Sequence, residues 1–531
     1  MTRDTDHVRQ IASAASIVGI ATLCSRILGF VRDMAIAWLF GAGMMADAFF
    51  VAFRIPSTLR ELLGEGALSA AFVPAFTREN GRGGREAAWD LASAVMGTLM
   101  VVLAAVSVLG VLLAPAIVHV LAPGFAEVPG KHALTIQLLR VMFPYIFLVG
   151  LAALLMAILN SLGHFLTPAL SPTVLNISMI AAVLLTAFGT ENPALPLAVA
   201  VVVGGAGQLA IQVPSALSRG WRPKLRVAPR DPRVREIARL MTPGVAGLAV
   251  TQVNVFVGTL LASFLAEGSV ATLTYAFRLV QFPIGVIGVA IATGALPVMA
   301  AFAAKDAMGD MKEALQSSLR LAFFLTVPAI VGLALFRLPI LHVLFERGAF
   351  TRPVTQLTAD ILLGYTVGLC FYVGNRILAP AFYAMHDTWT PVKTAMMAVG
   401  VNIAASIVLM RSMGASGLAL ATAIASAGNF LLLFIALRRR IGGLGARRIL
   451  AAAARVVGAC VPMAVWGVVS QAWWDILAVR GTASKISLLC VELAIAMAVF
   501  LVTAAWLGCD ELAWARDLLR RRRESGSVST F

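Results

Sequence analysis

Long apolar runs alternate with short polar connections along the whole chain. A helix needs about 20 mostly apolar residues to cross a bilayer core. About 14 stretches meet that length: 11–40, 46–76, 87–114, 133–160, 167–188, 193–217, 236–265, 270–303, 314–337, 355–384, 390–410, 413–437, 449–472 and 485–508. Backbone groups in lipid must be hydrogen-bonded within their own segment, so runs this long predict α-helices. A membrane barrel would show shorter, strictly alternating strands. The pattern predicts an all-α polytopic membrane protein.

The polar positions set the orientation. With the N-terminus in the cytoplasm, the loops on that side collect about 24 Lys and Arg, and the opposite loops hold about 7. The cytoplasmic set is concentrated in a linker at 218–235, a second linker at 438–448 and a tail at 509–531. This bias predicts a multi-pass protein of the cytoplasmic membrane with both termini inside. Composition agrees: 60% of the 531 residues are hydrophobic and 13% are charged, yet the net charge is +16. A soluble domain carries about 25% charged residues. Topology and anionic membrane lipids account for the basic runs, and no nucleic acid is needed.

An internal repeat organises the spans. Val51-Ala52-Phe53-Arg54 returns as Tyr275-Ala276-Phe277-Arg278, and Thr167-Pro168 returns as Thr390-Pro391. The two offsets differ by a single residue. They predict two six-helix lobes, 1–217 and 236–437, followed by two extra helices in 449–508. An offset of six spans keeps both lobes in one orientation, an arrangement found in transporters.

Chemistry-bearing residues are few. The five cysteines lie in or beside apolar runs with no CxxC, and the six histidines show no ligand spacing. No metal and no cofactor are expected. No Walker A motif is present, so the expected drive is an ion gradient or the membrane potential.

The informative residues are the charges left inside the spans. On insertion scales an arginine at a helix centre costs about 2.5–3.5 kcal/mol, so each needs a partner, a wet cavity or a place near the interface. Arg140, Arg320 and Arg376 read as snorkelling side chains. The first two helices are different: Arg26, Arg32, Arg54 and Arg60 share about 40 residues with Asp33, Asp47, Glu61 and Glu65. Asp47, Arg54 and Glu61 are spaced by seven, which puts them on one helix stripe about 10.5 Å apart. They cannot pair along their own helix, so partners come from another helix or from a ligand. Arg278 takes the place of Arg54 in the second half. The pattern predicts an arginine-lined central cavity, with buried salt bridges as the alternative use of the same charges. Guanidinium forks suit phosphate oxygens.

Three stretches carry a resemblance. They are Ser25-Arg26-Ile27-Leu28-Gly29-Phe30-Val31-Arg32-Asp33, the run from Ala46-Asp47-Ala48-Phe49-Phe50 through Phe53-Arg54-Ile55-Pro56 to Gly64-Glu65-Gly66-Ala67, and Phe277-Arg278-Leu279 with Phe282-Pro283 and Gly288-Val289-Ala290. They resemble the first, second and eighth helices of the MurJ/MviN family over nearly the whole chain. The resemblance implies a MATE-like fold and a transporter, not an enzyme. Its expected activity is flipping lipid II, the undecaprenyl-diphosphate-linked precursor of peptidoglycan, across the bacterial inner membrane by alternating access.

The resemblance further implies binding roles for Arg26, Arg32, Arg54, Arg60 and Arg278, and gating or coupling roles for Asp33, Asp47 and Glu65. It also implies a lipid-tail groove on the last two helices and contacts with cell-wall synthesis machinery. Gln281 stands where some relatives carry an acid, and Glu61 where some carry a base. Two alternatives remain at this point: a flippase for another polyprenyl-diphosphate oligosaccharide, and a polyprenyl-phosphate membrane enzyme.

Overall fold

The computed structural model describes residues 2–62, 68–187, 189, 192–222, 224, 226–477 and 481–514. Among the described residues the regular structure is entirely helical. The chain divides into two compact units. The first holds Met1–Ala271 with Arg347–Phe350, and the second holds Thr272–Glu346 with Thr351–Phe531.

The first unit begins with α1 (Thr2–Phe40) and α2 (Met44–Leu62), followed by α3 (Leu68–Leu121). A straight helix of 54 residues would run about 81 Å, far beyond a bilayer core of about 30 Å. The chain solves this at Gly84, where φ is 72° and ψ −175°. Only glycine occupies that region without strain, so α3 breaks into two limbs at the basic turn. The unit continues with α4 (Lys131–Met142), α5 (Tyr145–Ser161), α6 (Leu166–Thr186), α7 (Ala194–Ala210), the short α8 (Val213–Leu217) and α9 (Pro232–Ser263). Helix α1 lies along α6, α2 along α4, and α3 along both α5 and α9. Tyr145, Phe49, Phe72, Phe76 and Phe125 are fully buried in this unit.

The second unit contains α10 (Ser269–Pro283, from Thr272 on), α11 (Ala290–Ala304), α12 (Met308–Leu335), α13 (Arg337–Leu344), α14 (Arg352–Thr366) and α15 (Leu369–Ala384). A π-helical turn at Ile284–Val289 joins α10 to α11. It follows Pro283, whose missing N–H breaks the regular ladder. Helix α16 (Trp389–Ile441) repeats the device of α3: Gly414, with φ 56° and ψ −131°, folds 53 residues into two limbs. Helices α17 (Ala446–Leu477) and α18 (Thr482–Trp506) close the chain.

Among the described residues nine helical stretches are long and apolar enough to cross a membrane, or ten if the bent pair α14–α15 counts as one span; taking α3 and α16 as two limbs each raises this to eleven or twelve, against about fourteen spans in the hydropathy pattern. Helix α17 packs between α12 and α18. Phe324 and Phe336 meet Val456, Cys460, Met463, Ala496 and Phe500 in their shared core. Exposed side chains such as Val461, Val465, Val468, Val491, Val502 and Trp506 cover the rest of this pair. In water that surface would be costly; it suits lipid.

Candidate functional site

Within the first unit, the charged residues of α1 and α2 form three clusters. The first is built on α1. Arg32 is 8% exposed and Asp33 2% exposed. Arg32 donates to Asp33 Oδ1 from Nε at 3.0 Å and from Nη2 at 2.7 Å, and from Nη1 to Asn176 Oδ1 of α6 at 3.0 Å. The Asn176 amide then donates to the Ser25 carbonyl of α1 at 3.1 Å. Helix α6 therefore holds both the guanidinium and the helix that carries it.

Arg60, at the end of α2, is half-buried. On α5, Tyr145 buries its phenol hydroxyl fully. That hydroxyl donates to Gln208 Oε1 at 3.3 Å. Arg26 is exposed on α1 and Arg54 is half-buried on α2. Glu65 lies outside the described residues.

The second cluster surrounds Asp47, in the first turn of α2. Its Oδ2 accepts from Lys131 Nζ at 2.7 Å and from the Gly268 amide at 2.8 Å, and its Oδ1 accepts from the Ala271 amide at 2.9 Å. Asp47 and Lys131 are 1% and 2% exposed. The Lys131 ammonium also sits 4.1 Å from the centroid of the Phe125 ring, where the ring face attracts it. Beside them Glu267 accepts from the Met44 amide at 2.7 Å and caps α2. This end of the unit is a sealed polar joint between α2, α4 and the 267–271 connection. In the sequence Lys131 falls between the spans 87–114 and 133–160, where a charge needs no partner.

The third cluster joins α2 to α9. Thr58 donates to Gln252 Oε1 at 3.2 Å, and Gln252 Nε2 donates to Glu61 Oε2 at 2.9 Å. Glu61 thus serves an amide here. At the far end of α9 the basic linker is pinned by acids. Arg233 binds Asp231 at 2.8 Å and Asp90 at 3.1 Å, and Arg226 pairs with Asp90. Arg233 beside it holds the Asp231 carboxyl below the usual range, against some desolvation. Part of the linker is therefore structural, beyond its part in orientation.

In the second unit Arg278 is half-buried on α10 and donates to Gln281 Oε1 at 3.1 Å. Arg320 does not snorkel. It binds Glu511 through Nε at 2.7 Å and Asp510 through Nη2 at 2.6 Å, with its guanidinium 4.8 Å from the Trp514 ring centroid. That contact fastens the chain beyond α18 to α12. No group of three metal-binding side chains occurs among the described residues.

The comparisons with known proteins bear on the whole chain. It is 37% identical over 516 residues to a probable lipid II flippase MurJ of Rhizobium tropici, covering 95% of this chain and 96% of that one. It is 35% identical over 423 residues to the lipid II flippase MurJ of Burkholderia cenocepacia, covering 79% and 82%. A solved lipid II flippase MurJ in an inward closed conformation matches with a TM-score of 0.74 at 25% identity, covering 94% of this chain and 99% of that one. An inward-facing MATE-family multidrug resistance transporter of the MOP superfamily matches with a TM-score of 0.67 at 15% identity, over 79% and 95%, a likeness of fold. The family model described as lipid II flippase MurJ matches residues 36–488, and the chain belongs to that family.

Proposed function

We propose that this protein is a lipid II flippase of the bacterial inner membrane, a transporter and not an enzyme, serving peptidoglycan synthesis. The observation that carries the reading is the match of nearly the whole chain to named lipid II flippases. The intramembrane arginines supply the chemistry. A diphosphate is a compact dianion or more, and a guanidinium fork binds its oxygens bidentately where an ammonium offers only a point charge. Arg26, Arg32, Arg54 and Arg60 in the first unit and Arg278 in the second are the proposed diphosphate ligands. Asp33, Asp47 and Glu65 are the proposed gating or coupling acids. Transport proceeds by alternating access. It draws on an ion gradient or the membrane potential and uses no bound cofactor. The charge bias along the chain supports both termini lying in the cytoplasm, where the basic loops would meet anionic lipids. The exposed apolar face of α17 and α18 is proposed to receive the polyprenyl tail, and cell-wall synthesis enzymes are proposed neighbours.

The test is depletion of the protein with lipid II followed leaflet by leaflet. Lipid II is expected to accumulate in the inner leaflet, with wild-type protein restoring export and Arg32→Ala or Arg278→Ala failing to do so. Unchanged export on depletion, or full complementation by both variants, refutes the reading. A flippase for a different polyprenyl-diphosphate oligosaccharide is not favoured, because the named relatives share one substrate.

A further inference from the structure

Arg32 has five N–H groups and a single positive charge. Asp33 takes two of those N–H groups and neutralises the charge, and Asn176 takes a third. One N–H remains on each terminal nitrogen. The choice of an amide at 176 matters for those two. An aspartate there would hold the same nitrogen, but it would set a second carboxylate beside Asp33 and add one negative charge. Like charges repel strongly where water is scarce, so a phosphate would be turned away. An alanine would add no charge but let the fork turn. The amide avoids both outcomes: it fixes the plane of the guanidinium and adds no negative charge. It also bonds the Ser25 carbonyl, so the fork is oriented relative to its own helix. The packing is close enough for this role, since a Cβ built at Gly29 would lie 3.5 Å from the Asn176 amide nitrogen.

We propose that Asn176 is a positioning residue for Arg32, orienting its two remaining N–H groups toward the diphosphate of the transported lipid and setting selectivity for an anionic headgroup. This rests on the function proposed above.

The test uses the full chain in detergent with two probes, a polyprenyl diphosphate and the corresponding neutral polyprenol. Asn176→Asp is expected to lower diphosphate affinity by about tenfold or more and to leave polyprenol binding near wild type, with some loss in melting temperature because the added carboxylate is buried. Asn176→Ala is expected to lose diphosphate affinity by a smaller factor, and Asn176→Gln to restore part of it. Arg32→Ala is the reference. If Arg32→Ala loses diphosphate affinity while Asn176→Asp binds as wild type, the positioning role is overturned and the function stands. If Arg32→Ala binds as wild type, the proposed diphosphate ligand itself is wrong. A purely structural role for Asn176 would weaken both probes equally and would also overturn the proposal. Should Asn176→Asp not fold, wild-type diphosphate affinity in Asn176→Ala is sufficient to reject it.

Discussion

Lys131→Met tests how the sealed end of the first unit is held. The substitution keeps most of the side-chain volume and removes the ammonium that lies 2.7 Å from Asp47 Oδ2. Two backbone amides, from Gly268 and Ala271, still reach the carboxylate. They satisfy its hydrogen-bonding capacity in part but bring no full positive charge. Asp47 is 1% exposed, so water cannot substitute. Removing one member of a buried pair costs about 3–5 kcal/mol, chiefly because the other charge is left uncompensated. The backbone amides put the expected loss toward the lower end of that range.

Asp47→Asn alone strands the ammonium instead, against the Phe125 ring, and is expected to cost about as much. The double variant Asp47→Asn/Lys131→Met removes both charges and keeps an acceptor for one of the amides. It is therefore expected to be more stable than either single variant. The assay is thermal unfolding of the purified protein in one detergent, across all four members of the cycle. The reasoning fails if Lys131→Met melts with wild type, or if the double variant melts no higher than the two singles. The first result would mean that the ammonium contributes nothing to stability, and the second that the loss in the single variants does not come from a stranded charge.

Three further outcomes follow from single contacts. A Cβ built at Gly84 meets nothing within 4 Å, so Gly84→Ala tests backbone strain alone. It is expected to destabilise by about 1–3 kcal/mol, with Gly84→Asn no better because ψ lies far from the left-handed helical well; equal melting of both with wild type would contradict this. The Asp387 carboxyl is held below its usual range by the Thr390 amide and hydroxyl, with help from Arg440. The unfolded chain therefore binds the proton first as pH falls, so this contribution is complete above about pH 4 and is lost below it. Asp387→Asn should lower the melting temperature at pH 7 and flatten the acid limb between pH 5 and 3, and an unchanged acid limb would contradict it. Arg320→Ala frees Glu511, which is 1% exposed, and should expose the 509–514 segment to limited proteolysis at unchanged α12 protection; wild-type cleavage rates would count against the latch.

The fold was largely legible because lipid imposes one rule on the backbone. Apolar runs of spanning length must be helical, so hydropathy placed the helices, and the breaks inside α3 and α16 fall between the spans 46–76 and 87–114, at Gly84, and beside the boundary of 390–410 and 413–437, at Gly414. The spacing of Asp47, Arg54 and Glu61 was also informative. Separations of about 10.5 Å ruled out pairing along the helix and directed attention to other elements. What that spacing could not name was the partner. Asp47 and Lys131 are 84 positions apart, and nothing local to Lys131 distinguishes it from a topological loop charge. Arg320 was misplaced for the same reason: its acids, Asp510 and Glu511, lie 190 and 191 residues away. The linker charges mixed two roles that composition treats alike, and only the positions of Asp90 and Asp231 separate pinned arginines from solvated ones.

Neutral polar residues were the hardest to read. A charge in an apolar run is conspicuous because its burial is expensive, whereas an amide costs less and leaves no mark on hydropathy. Yet Asn176, Gln208 and Gln252 are each nine-tenths or more buried, and each bonds a side chain of another helix, Arg32, Tyr145 and Glu61 respectively. This has a physical reason. Arg32 already pairs with Asp33, so a second acid beside it would add negative charge where the proposed ligand is an anion. The protein also cannot leave the guanidinium unsupported, because the fork must keep its orientation while the cavity is empty. Uncharged acceptors meet both demands, so in such a site the amides packed against the arginines carry as much functional information as the arginines do.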